Sequence, residues 1–352
     1  MVLRHPSLQS GATEHNLPMA TQLYTYDPSA ALGAGASGGL TALDARAAKP
    51  LRWAAWHPDG SWCLLAGNGG MAVRFDPRNG RTEPIATGTR HNLRGAAFSP
   101  DGRQALLAGN HGALLLYEDG AVRPLASGTT ENLRRAAWRP DGGVALIIGN
   151  AGTVLRYETS GAPSAALRAG VSPVPGDRAH TLRALAWRPD GAYALVGAYA
   201  SRWAGYPRPH PLYKCDGLYL QALLHSDEED DFVAIDWHPD GRSALIAGYA
   251  YTPSTSLRAG SGRAANKLLT YDGAGFSYRA VEASGALLGA AWRPGREYAL
   301  LCGEGGALLK FNGDRVEQIA SGTEDSLVGP FWRPDGSSAL LLRGPSERVY
   351  TV

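Results

Sequence analysis

"LRWAAWHPDG", residues 51–60, reads as a short strand closed by a Pro-Asp-Gly turn. The same pattern returns along the chain as "LRGAAFSPDG" from Leu93, "LRRAAWRPDG" from Leu133 and "LRALAWRPDG" from Leu182. It continues as "FVAIDWHPDG" from Phe232, "LLGAAWRPGR" from Leu287 and "LVGPFWRPDG" from Leu327. Seven units therefore start at 51, 93, 133, 182, 232, 287 and 327. After each turn comes a second apolar segment, such as "CLLAGN" from Cys63, "ALLAGN" from Ala105 or "ALIIGN" from Ala145. An Asn-Gly or Gly-Gly hairpin follows, then a third segment of the "AVRFD" or "LLTYD" type and a short fourth, as in "RPLASGT".

Four strands in about 40 residues, repeated seven times, predict an all-β, seven-bladed β-propeller of four-stranded antiparallel blades. The Ala-Ala pairs suit an innermost strand crowded at a central channel. Runs such as "ALLLY" suit strands buried on both faces. A helical reading fails because Gly or Pro interrupts every dozen residues. Unit seven runs out at "RVYTV", Arg348 to Val352, one strand short. Ile85, Leu125 and Ile319 each stand eight positions before the next unit, as Leu43 does before Leu51. Residues 40–45, "LTALDA", are therefore expected to complete the last blade and join the two ends of the chain in one sheet. "LYTYD", 23–27, also reads as a third strand, and whether it or Arg348–Val352 fills that place is left open. Residues 1–20 read as a disordered leader, with Met19 an alternative start, and 21–352 as a single propeller domain.

These units resemble WD-repeat proteins over residues 40–352. "FSPDG" at 98–102 matches the family's first turn, and "RFD" or "TYD" stands where its third strand usually ends in Trp-Asp. The chain departs from the family in its "SGTTEN"-like loops, which replace a Gly-His dipeptide, and in its degenerate Trp-Asp. The resemblance implies a propeller that serves mostly as a non-catalytic platform.

Composition narrows the function. A formal net charge of +2 points to no partner by bulk charge, so any charged site must come from clustering. Three cysteines form no disulfide framework or zinc spacing, and a reducing, cytoplasmic compartment fits. The N-terminus has no apolar signal region, and no window approaches 18 consecutive apolar residues, so no membrane association is expected. No GxSxG, HExxH, P-loop or EF-hand pattern is present, and no cofactor or metal is expected. "HSDEEDD", 225–231, is read as a solvated acidic loop.

Four expansions interrupt the repeat: 171–181, 198–212, 224–231 and 249–266. They are read as following strand four of unit three, strands two and four of unit four, and strand two of unit five. All four would then emerge on one face, called the upper face, over blades 3 to 5. This wall carries Arg178, His180, Arg202, Trp203, Tyr206, Arg208, Tyr249, Tyr251, Arg258 and Arg263. Flat aromatics and guanidinium forks suit a protein or peptide partner, an acidic one included, or a glycan. Equally, the arginines could pair with Asp227–Asp231 and serve only to pack the loops. A second candidate is the channel rim. The residue after the leading Leu is Arg52, Arg94, Arg134 and Arg183 in units one to four, a cationic cluster suited to an anion unless acids such as Glu131 pair with it. On the opposite face, His57, Arg139, Arg188, His238, Arg293 and Arg333 precede prolines, and most can bond the turn Asp two residues on.

The leading expectation is thus a non-catalytic interaction platform. The alternatives are an enzyme acting on a small anionic substrate at the channel mouth, with His91, His180 and Glu131 as its candidate groups, and a glycan-binding propeller. Nucleic acid is disfavoured, since there is no recognition motif and no helix to enter a groove.

Overall fold

A computed structural model describes residues 23–29, 39–45, 47–159, 170–176, 180–199, 212–224, 230–251 and 264–344. It contains seven four-stranded antiparallel sheets arranged as a ring. Blade 1 is β3 (Leu51–Trp56), β4 (Cys63–Gly67), β5 (Ala72–Asp76) and β6 (Arg81–Ile85). Blade 2 is β7 (Leu93–Phe98), β8 (Gln104–Gly109), β9 (Leu114–Glu118) and β10 (Ala121–Pro124). Blade 3 is β11 (Leu133–Trp138), β12 (Val144–Gly149), β13 (Val154–Glu158) and β14 (Gly170–Pro173). Blade 4 is β15 (Thr181–Trp187), β16 (Ala194–Tyr199), β17 (Leu212–Cys215) and β18 (Leu220–Leu224). Blade 5 is β19 (Asp230–Trp237), β20 (Ala244–Tyr251), β21 (Ala264–Tyr271) and β22 (Phe276–Val281). Blade 6 is β23 (Leu287–Trp292), β24 (Ala299–Gly303), β25 (Leu308–Phe311) and β26 (Val316–Gln318).

Blade 7 takes β27 (Leu327–Trp332) and β28 (Ala339–Arg343) from the far end of the chain, and β1 (Leu23–Tyr26) and β2 (Leu40–Leu43) from the near end. The sheet order is β2-β1-β28-β27, with Leu23 opposite Leu342 and Tyr26 opposite Ala339. The fourth strand is the one expected from "LTALDA". The open choice for the third strand resolves to Leu23–Tyr26; Arg348–Val352 lies outside the described residues, as does the leader 1–20. Leu23 and Tyr26 are buried in this sheet, and the Tyr24 hydroxyl donates to Asp325 at 2.5 Å. Buried aromatic and aliphatic side chains make this strand a structural member of the ring.

Burial follows position within the blade. Every residue of β4, β12 and β24 is buried, because second strands are covered by blades on both sides. Outer strands are polar and carry prolines, such as Pro84 in β6 and Pro124 in β10, which blunt an edge against further pairing. The core is distributed between blades. Leu106, Leu114 and Leu116 of blade 2 pack with Trp138, Ala145 and Ile147 of blade 3, and each other seam is built alike. Each fully buried leucine or isoleucine contributes about 1.5–3 kcal/mol.

Two recurrent bonds fix neighbouring blades. The indole N–H of the last residue of an innermost strand donates to the preceding blade: Trp56 to the Phe331 carbonyl, Trp138 to Ala97, Trp187 to Ala137 and Trp332 to Ala291. Upper hairpins are bonded to the loop that leads into the next blade, as Gly112 N–H to the Glu131 carbonyl and Gly152 N–H to His180. Gly112 has φ 68°, and a Cβ there would come within 1.8 Å of the Thr129 carbonyl oxygen, so only glycine fits.

Candidate functional site

Strand ends place the connections. Those after second and fourth strands leave on the upper face, those after first and third strands on the lower. The upper hairpin has four residues in blades 1, 2, 3 and 6: 68–71, 110–113, 150–153 and 304–307. It has twelve in blade 4, 200–211, and twelve in blade 5, 252–263. In blade 5 the flanking strands also lengthen, β19, β20 and β21 having eight residues each. Tyr249–Tyr251 and Ala264–Asn266 are therefore paired strand, not loop.

The expectation for blade 3 needs correction. Residues 171–173 belong to β14, paired with Leu155–Tyr157, and do not follow it. The upper connection that remains, 174–180, has the seven residues found at 86–92. The growth in blade 3 is instead at 159–169, after the third strand, on the lower face. Beyond β14 the chain runs along the outer edge of blade 4, where Gly176 bridges Leu220 and the Pro175 carbonyl accepts from Leu220 N–H at 2.9 Å. The stretch 225–229 is likewise no longer than an ordinary connection. The wall reduces to two long hairpins on adjacent blades.

Of its ten candidate residues, Arg178, Arg202, Trp203, Tyr206, Arg208, Arg258 and Arg263 lie outside the described residues, and Tyr251 is described only as a backbone position of β20. Two are buried and cannot present a stacking or donor surface. Tyr249 is 2% exposed, at the root of the long hairpin. His180 is 5% exposed, with its Nδ1 3.3 Å from the Tyr213 hydroxyl. The root of the blade 5 hairpin holds further buried polar residues that the sequence did not announce: Asp231, Asn266 and Lys267. Asn266 ties blade 5 to blade 6, donating to the Gly285 carbonyl and accepting from Leu287 N–H.

The channel rim is described throughout. Arg52, Arg94 and Arg134 are held alike: each Nε–H donates to the side-chain oxygen of the first hairpin residue of its own blade, Asn68, Asn110 or Asn150. The asparagine of each "GN" thus orients an arginine as well as turning the chain. In blade 4 Tyr199 stands at that place and Arg183 has no such asparagine. A fifth arginine, absent from the sequence expectation, completes the cluster. Arg135 Nη1 donates to the carbonyls of Arg94 and Arg134, both at 2.9 Å, and its guanidinium lies 3.7 Å from the centre of the Trp53 ring. Burial lowers the Arg52 and Arg94 pKa values, and Arg52 and Arg183 lower Arg94 further. Burial, then the charges of Arg183, Arg134 and Arg94, bring Arg135 down to about 9. Arg52 and Arg94 form no ion pair among the described residues, so Glu131 does not neutralise them.

The lower girdle is structural. His57 meets Asp59, Arg139 meets Asp141 and His238 meets Asp240 at 2.7–2.8 Å. Arg188, Arg293 and Arg333 each donate through Nε to the turn-glycine carbonyl of the next blade, Gly241, Gly336 and Gly60. Among the described residues no three His, Cys, Asp or Glu side chains are grouped to hold a metal, and no helix is long and apolar enough to cross a membrane. His91 and His111 have ring centres 5.0 Å apart on exposed upper loops, away from the buried His180.

No protein-family model matches the chain, and no curated protein matches its sequence. A solved structure of hydrazine synthase from Kuenenia stuttgartiensis is similar, with a TM-score of 0.62 at 13% identity. The match covers 84% of this chain and 95% of that one. At that identity the likeness speaks for the fold alone.

Proposed function

We propose that this propeller is a non-catalytic platform that takes a protein or peptide partner on its upper face, over the long hairpins of blades 4 and 5. One observation carries the reading: hairpins of four residues in four blades become twelve in two adjacent ones, both on the same face. Long connections without structural need are where binding surfaces are commonly built. The content of 200–211 and 252–263, with four Arg and four Pro besides Trp203 and Tyr206, suits a partner surface in which acidic groups meet guanidinium forks. The repeat likeness to WD-repeat proteins supports the same role, and three unpaired, buried cysteines suit a cytoplasmic setting.

The test replaces 200–211 and 252–263 with the four-residue hairpin "NGGM" of blade 1. The trimmed chain should fold and lose the partner that wild type captures from its native host. Equal capture by both chains would show that the hairpins take no part in binding.

A further inference from the structure

Outside the two hairpins, guanidinium groups gather at the upper mouth of the channel, and Arg52 and Arg94 among them form no ion pair with the described residues. The cluster is assembled by four successive blades. Arg52, Arg94, Arg134 and Arg183 hold the second position of the repeat units that start at Leu51, Leu93, Leu133 and Leu182, in β3, β7, β11 and β15, and Arg135 the third position of its unit. The third position is Gly95, Ala184, Ala234, Gly289 or Gly329 in the remaining blades apart from blade 1, which has Trp53. Gly95 lies between the two large side chains, and a Cβ there would meet the Arg134 carbonyl oxygen at 2.7 Å. The small residue thus leaves room for Arg135 to reach across blade 2 to Trp53. Trp53 in turn packs edge-on against Phe331 of blade 7, with ring centres 4.7 Å apart, and its indole N–H donates to the Ala96 carbonyl. On this side of the ring an aromatic floor lies beneath the cations.

We propose that this mouth binds a small phosphate-class oxyanion carrying at least two negative charges, with Arg52, Arg94 and Arg135 as its core and Arg134 and Arg183 alongside. Asn68 and Asn110 engage Nε and so set the plane of each fork. Among the described residues no acceptor takes the Nη groups of Arg52 or Arg94, and these are the groups that bind tetrahedral oxyanions in pairs. Arg135 cannot turn away, since its Nη1 is bonded to two backbone carbonyls. Like charges held together in a partly enclosed site repel one another with less screening than on an open surface. A doubly charged anion relieves this, whereas an apolar ligand or a cation does not.

The probe is pyrophosphate, compared with inorganic phosphate and with sodium chloride at equal ionic strength, by calorimetric titration and thermal unfolding of the full chain. Pyrophosphate should bind and raise Tm by about 2–5 °C over the chloride control. The Arg52→Gln/Arg94→Gln chain should bind at least about tenfold more weakly and unfold, without ligand, no lower than wild type. Arg242→Gln, an exposed lower-face cation, should bind as wild type. Should the double substitution fail to fold, Arg94→Lys keeps the charge and loses the fork, and its affinity should still fall severalfold. The proposal is overturned if wild type does not distinguish pyrophosphate from chloride. It is equally overturned if Arg94→Lys or the double variant binds as tightly as wild type. Destabilisation of the ligand-free double variant by several degrees in a chain that ignores pyrophosphate would mark these arginines as structural.

Discussion

Asp236 is a buried carboxyl group at a place where most units carry alanine. It holds the fifth position of the repeat unit that starts at Phe232, where other units carry Ala55, Ala97, Ala137, Ala186, Ala291 and Phe331. Its carboxylate accepts the Trp292 backbone N–H at 2.7 Å, joining blades 5 and 6, where the Trp292 indole N–H finds no acceptor among the described residues. Burial raises its pKa to about 7, against smaller lowering effects from the backbone N–H groups of Trp292 and Trp237 and from His238. An unfolded aspartate titrates near 4, so the folded state holds the proton more tightly. The contribution of Asp236 to stability is therefore fully present below about pH 4 and is lost as pH rises from there through 7. Asp236→Asn keeps an oxygen for Trp292 and removes the charge. It should add about 1–3 kcal/mol at pH 8 and less at pH 5, measured by urea denaturation. An equal effect at both pH values would contradict this. Arg135 was not legible in the repeat, since it occupies a variable place in the "L-x-x-A-A-W" pattern; Asp236 stands where most units have Ala, but its bond to Trp292 has meaning only across two blades. The rim arginines at position two were legible because the same residue recurs in four consecutive units. The signal for Arg135 was the size contrast at position three, with Gly95 beside it in space, and that contrast has meaning only once the ring brings blades together.

At the scale of elements, the inner three strands of a blade were readable outside blade 7, and the fourth was not always. Inner strands are buried on both faces and so are written as apolar runs. A fourth strand is an edge with weak patterning, and "GVSP" of β14 carries one aliphatic residue. That is why the blade 3 expansion was assigned to the wrong face. The hairpins of blades 4 and 5 differ from the others in length and not in their supports. The blade 5 hairpin stands on eight-residue strands and on Asn266, whose bonds to Gly285 and Leu287 lie outside the long connection. Shortening 200–211 and 252–263 should therefore shift Tm by no more than about 3 °C, since loop-closure entropy changes slowly with length. A fall of more than 10 °C would mean that these hairpins are part of the structural core and would remove the reason for reading them as a binding surface.

At the scale of the molecule, the ring is closed by strands more than 300 residues apart in sequence, Leu23–Tyr26 against Ala339–Leu342. The missing fourth strand of unit seven was evident from the repeat count, and the choice of third strand needed the pairing itself. Deleting residues 1–45 exposes the outer edge of β28 and the packing of Leu340 and Leu342, and removes buried Leu23 and Tyr26. The shortened chain should lose its single cooperative thermal transition and associate through the open edge. A monomer with an unchanged transition would show that the ring does not depend on this closure.

The closed ring fixes one face as a girdle of Arg, His and Asp bonds and leaves the other with both the long hairpins and the arginine mouth. A photo-activated cross-linker placed at Ser256, within the long connection of blade 5, or at Asp190 in a lower turn, in the chain captured with its partner, tests this division directly. The account predicts partner adducts from position 256 and none from position 190. Adducts from 190 alone would place the working surface on the opposite face and contradict it.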